Sequence, residues 1–107
     1  MLKSDLSAST LSSTDSAEAL KVLSAYPNPF HNQFTLQVPV TTINENVVVT
    51  VYDVSGKALY QKEFDNLTQG NNYLLIEPAA ATQNGVYFVR VIYSDKKTVK
   101  IVKMLRQ

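Results

Sequence analysis

The sequence predicts an all-β chain, a seven-stranded antiparallel β-sandwich behind a linker, on three observations. From residue 22 onward it breaks into seven β-rich runs, 22–26, 33–38, 47–53, 57–64, 72–77, 86–93 and 97–105. Their starts lie roughly ten residues apart, inside the spacing expected of sandwich strands. Each gap carries its own turn chemistry. Finally, 107 residues with 45% hydrophobic and 18% charged content supply one core, and a chain of this size buries roughly 60–70% of the surface its unfolded form exposes.

Residues 1–21 read as a linker, because positions 3–19 are dominated by Ser, Thr, Ala and acidic residues with only Leu6 and Leu11 as large apolar side chains. A competing signal is Asp15 followed three residues later by Glu18, a capping-box spacing ahead of Ala19, Leu20 and Leu23 that would start a short helix over 16–24. The sandwich is assigned to residues 22–107. Pro27 and Pro29 bracket Asn28 and remove two backbone donors, so the first strand must end there.

In the second run Phe34, Leu36 and Val38 alternate with Gln33, Thr35 and Gln37, which gives one wet face; Pro39 and Pro78 are read as following strand ends. The third and sixth runs are apolar on nearly both faces (Val47, Val49 and Val51 against Val48, Thr50 and Tyr52; Tyr87, Val89 and Val91 against Phe88, Arg90 and Ile92), which predicts central strands. Between the third and fourth runs, Asp53-Val54-Ser55-Gly56-Lys57 places glycine where a type I turn with a bulge needs positive φ. Residues 66–72 read as a longer connection, 83–85 as a turn, and 94–96 as the last tight turn. The last run mixes Lys100, Lys103 and Arg106 with apolar residues on both faces, as an edge strand does.

The same residues exclude several chemistries. A net charge of +1 gives no general attraction to nucleic acid. With no cysteine there is no disulfide or thiolate site, and no apolar run reaches membrane-helix length, so direct membrane insertion is not expected. The N-terminus lacks the basic and apolar blocks of an export signal, and Met1 ahead of a polar stretch reads as the start of a C-terminal piece of a longer protein. His31 is the single histidine, without a gathered nucleophile or carboxylate, and reads as an exposed loop residue. Asn44-Glu45-Asn46 and Asp65-Asn66 read as polar turns rather than calcium loops. Gly56, Gly70 and Gly85 are too isolated to cradle a phosphate. No catalytic residue, metal or cofactor is expected. Asn66-Leu67-Thr68 matches an N-glycosylation pattern that short sequences produce by chance. The strand aromatics Phe34, Tyr52, Tyr60, Phe64, Tyr73, Tyr87 and Phe88 are expected to fill the core rather than to form a sugar platform.

One ordered set of motifs remains: Tyr26-Pro27-Asn28-Pro29-Phe30, then a run ending at Tyr52-Asp53 with Gly56-Lys57 behind it, then Gly85-Val86-Tyr87, then a closing lysine-bearing strand. In this order they resemble the C-terminal sorting domain of the type IX secretion system of Bacteroidetes. The resemblance implies an immunoglobulin-like seven-stranded sandwich with no enzymatic activity, acting as an address label for a cargo domain on its N-terminal side. It implies passage through the periplasm, recognition by the type IX translocon, and delivery to the cell surface or the medium. An outer-membrane sortase would cut within residues 4–25 and leave the cargo anchored or released.

Residue by residue, the resemblance assigns Gly85 and Tyr87 to the family's glycine-x-tyrosine signature and Lys100 and Lys103 to its basic terminal strand. Val102, Lys103, Met104, Leu105, Arg106 and Gln107 cover the end its translocon reads. Arg106 supplies a charge where many members keep a lysine. Asp15-Ser16-Ala17 resembles an O-glycosylation pattern of these bacteria. A basic edge strand also offers a route to a homodimer. The rival reading is an accessory carbohydrate- or protein-binding sandwich of a secreted enzyme.

Overall fold

The computed structural model describes residues 23–107, which form seven strands and no helix. These are β1 (Ser24–Tyr26), β2 (Phe34–Val40), β3 (Glu45–Tyr52), β4 (Ala58–Leu67), β5 (Gly70–Ile76), β6 (Gly85–Tyr93) and β7 (Val99–Arg106). The linker over 1–21 and the Asp15-Ser16-Ala17 pattern lie outside the described residues. So do most positions of the helix signal over 16–24 and of the cleavage stretch over 4–25; Ser24 and Ala25 are extended, in β1.

Two antiparallel sheets face each other, β1-β2-β5 and β4-β3-β6-β7. Immunoglobulin constant domains keep their fourth strand beside the fifth; here β4 forms a hairpin with β3 in the opposite sheet. The runs apolar on both faces, β3 and β6, are the central pair, with Val49 opposite Val91, and the basic run β7 is an edge. Period-2 alternation decides the core: Phe34, Leu36 and Val38 from β2, Val47, Val49 and Val51 from β3, Leu74 and Ile76 from β5, and Tyr87, Val89 and Val91 from β6 all point inward and are buried.

Turns are built by short polar side chains. Asp53 Oδ1 accepts bonds from the amides of Ser55 and Lys57, and Gly56 takes φ +91°. Asp95 accepts the amides of Lys97 and Thr98 in the same way, and this cap delays β7 to Val99, two residues after the start of the sequence run.

Three expectations are corrected. Pro39 does not follow a strand end; it lies inside β2, opposite Asn71 of β5. On the other side β1 pairs only with Thr35, Leu36 and Gln37, so the ladder has already stopped where proline has no N–H to give. The connection over 66–72 is shorter than read, because β4 runs to Leu67 and β5 starts at Gly70. Asn72 closes that crossing between sheets by accepting from the Thr68 amide at 3.0 Å and donating to its carbonyl at 2.8 Å. Finally, the aromatics do not all enter the core: Tyr73 is 61% and Phe88 37% exposed, and Tyr52 lies on the outer face under the Arg90 guanidinium, 4.9 Å from its ring. Phe30, just after the two prolines, is 2% exposed and packs edge-on against Phe34 at 5.1 Å.

Candidate functional site

The two prolines after β1 determine what lies beside the last strand. Pro27 and Pro29 have no N–H, so this segment has no main-chain donor at either position to pair with β7. The Asn28 carboxamide replaces the missing peptide group: its Nδ2 donates to the Lys103 carbonyl at 3.3 Å and its Oδ1 accepts the Leu105 amide at 3.0 Å. After Pro29 the main chain takes over. Phe30 N–H donates to the Leu105 carbonyl at 2.8 Å, and Gln107 N–H to the Phe30 carbonyl at 3.0 Å. His31, exposed as read, donates from Nδ1 to the Gln107 carbonyl at 2.9 Å. The outer edge of β7 is therefore occupied from Lys103 to Gln107 by a segment that is some 75 residues earlier in sequence.

The glycine-x-tyrosine signature sits against the same pole. Gly85 opens β6 at φ +141°, a conformation that L side chains rarely adopt, and stands opposite Arg106 in the β6–β7 register. Two residues on, Tyr87 is buried, contacts the Phe30 ring edge-on at 6.1 Å, and donates its hydroxyl to the Gln83 carbonyl at 2.5 Å. This is the local logic of the tyrosine corner in sandwich domains. Arg106 Nη1 donates to Asn84 Oδ1 at 2.8 Å and so ties the turn to the terminal strand. The Asp53–Lys57 turn closes the arrangement: Asp53, Ser55, Gln83, Gly85 and Tyr87 line one shallow cleft of about 150 Å³. The Ser55 hydroxyl and then the Lys57 amide bond the Asp53 carboxylate, which lowers its pKa. Four motifs separated in sequence thus meet at one end of the sandwich.

The terminal residues divide by face. Met104 is fully buried, Val102 is half-buried against the core, and Lys100 is half-buried with its Nζ 6.0 Å from the Tyr93 ring centroid. Leu105 and Arg106 are half-buried, held by Asn28, Phe30 and Asn84. Lys103 and Gln107 are exposed. Of the opening motif, Tyr26 is 47% exposed on the outer face of the three-stranded sheet, and both the Tyr26-Pro27 and Asn28-Pro29 bonds are cis. Sequence reasoning missed Phe30 as a core anchor and the roles of Asn28, His31 and Asn84. Only the donor-poor Pro-Asn-Pro pattern hinted that a side chain must do the pairing.

The clefts at this pole, about 150 and 190 Å³, fall below the roughly 300–1,000 Å³ of small-molecule sites. A larger groove, about 510 Å³, lies on the outer face of the four-stranded sheet between Thr50, Gln61, Glu63 and Arg90. Among the described residues, no three His, Cys, Asp or Glu side chains cluster to hold a metal ion.

A family model described as "Secretion system C-terminal sorting domain" matches residues 24–104, from the first residue of β1 to Met104 in β7. A comparison with curated proteins finds no match.

Proposed function

The chain belongs to the family of secretion system C-terminal sorting domains, and from that premise we propose that the pole formed by Asn28, the Gly85–Tyr87 turn and the end of β7 is the face it offers to the type IX machinery. Membership carries the coarser role: a type IX sorting signal that interacts with that machinery, serves a cargo on its N-terminal side, and directs export to the cell surface or the extracellular space. The finer reading is a non-catalytic label that acts after passage through the periplasm. An outer-membrane sortase then cuts it off within residues 4–25, and the cargo is anchored or released.

The observation that carries this reading is the convergence of the separated motifs on one pole. On this reading Lys103 and Gln107 make the outward contacts, while Lys100, opposite Val91 and beside the Tyr93 ring, lies toward the other end of β7. Val102, Met104, Leu105 and Arg106 hold the strand in the position to be read. A basic strand end beside hydrogen-bonding amides suits an acidic partner surface.

The test is a Lys103→Glu variant in a secreted fusion. Lys103 is exposed, so the fold should survive, while exported cargo should fall at least severalfold and the periplasmic pool should persist. Unchanged export would remove this pole from recognition. The accessory-module reading draws on a different observation, the exposure of Tyr26 and Tyr73 on the outer face of the three-stranded sheet, and predicts glycan affinity in the isolated chain.

A further inference from the structure

The described residues present four sheet edges, and three of them are blunted against strand pairing. β1 is only three residues long. β4 sets Lys62 on the same inward row as Tyr60 and Phe64, with its Nζ 5.1 Å from the Phe64 ring centroid; it adds Glu63 and Asp65, and its register on β3 shifts at two places. Inward-pointing charge and bulges are both devices that discourage edge pairing. β7 carries Lys100 and Lys103, and the half of its outer edge that follows Lys103 is taken by Asn28 and Phe30.

β5 has none of these devices. Gly70–Ile76 reads GNNYLLI, with no charge and no proline, and it pairs in continuous register with β2 on one side only. It exposes Tyr73 (61%) and Leu75 (49%) on the outer face. An uncharged seven-residue edge of this kind is a template for another strand.

We propose that two copies of this chain pair antiparallel through β5, joining their three-stranded sheets into one six-stranded sheet. The occupant is a second copy because the strand is self-complementary. A two-fold axis at Tyr73 sets Asn72 opposite Leu74, Asn71 opposite Leu75 and Gly70 opposite Ile76, which uses the whole strand and brings no like charges together. The two Tyr73 side chains then form a cross-strand aromatic pair. A neutral strand has no charge with which to select a foreign one. A single strand pair buries less than the roughly 1,200 Å² of stable interfaces, so the dimer is weak and depends on concentration. Self-association is thereby assigned to β5 rather than to the basic edge, and it stands or falls independently of the sorting role.

The chain contains no cysteine, which makes a direct test available in the full-length protein. Paired strands hold facing Cα atoms about 4.5–5.5 Å apart, inside the disulfide range. Tyr73→Cys should form covalent dimers under mild oxidation roughly tenfold or more faster than Ile101→Cys on β7, and a second substitution, Leu75→Lys, should suppress them. Sedimentation velocity of the unmodified chain should show a monomer–dimer equilibrium that Leu75→Lys abolishes. Equal cross-linking at the two positions, a monomer at every concentration up to about 1 mM, or a dimer that survives Leu75→Lys would overturn the proposal.

Discussion

Asn28 gives one donor and one acceptor to two consecutive outward groups of β7, so its replacement leaves the Leu105 amide and the Lys103 carbonyl without these partners. Asn28→Ala should cost about 1–2 kcal/mol and speed amide exchange at Leu105, whereas Asn28→Asp, which keeps the acceptor, should retain part of the protection. Phe30→Ala, by opening a hole between Phe34 and Tyr87, should cost about 3–5 kcal/mol in denaturant unfolding. Three carboxylates are held below their ordinary values: Glu45 chiefly by the Ser94 hydroxyl, Asp53 by the Ser55 hydroxyl, and Asp95 by the Thr98 amide. Each is more acidic in the folded than in the unfolded chain, so its contribution is complete above the unfolded value and is lost as pH falls through the folded one. The urea midpoint should therefore hold level down to about pH 5. It should then decline below the ordinary values of 4.5 for Glu45 and 3.8 for the two aspartates. A Glu45→Gln variant should show a shallower decline, and an unchanged acid limb would contradict the assignment. At this scale the sequence exposed the consequence of Pro27 and Pro29 but not the partner of Asn28, because the carboxamide's targets are fixed only once β7 folds back along the sheet.

The strands themselves were legible, since alternation in β2 and two-sided apolarity in β3 and β6 report burial on one face or both. Pro39 was misread because proline's cost depends on which side of a strand is paired, and that depends on how short β1 is. Tyr73 and Phe88 were misread because strand aromatics pack on whichever face is covered, and outer faces are not visible in a period-2 pattern. The same facing decides how β7 must be tested. Deleting residues 102–107 would remove buried Met104 and the groups that pair with Phe30. A truncation should therefore unfold the sandwich as well as erase its signal, and the thermal midpoint should collapse with export. The Lys103→Glu variant separates the two, with export lost and the midpoint held within a few degrees.

At the scale of the whole molecule, the fold brings the segment after β1 and the end of β7 to one pole, where the first clasps the second and the Gly85–Tyr87 turn braces it. The opposite flank carries the open edge of β5. Recognition and self-association are thus assigned to separate surfaces, so Leu75→Lys should leave export unchanged while Lys103→Glu leaves association unchanged. The order of the motifs was readable along the chain, whereas their convergence was not, because it depends on the chain crossing between sheets from β4 to β5 and back to β6, and on β6 pairing with both β3 and β7. The most direct test of the central claim fuses residues 20–107 to a fluorescent cargo bearing a periplasmic signal peptide, and measures exported cargo in type IX-competent and translocon-deficient cells. Cargo outside only the competent cells is the expected result; cargo retained equally by both, with the sandwich folded, would contradict the sorting role.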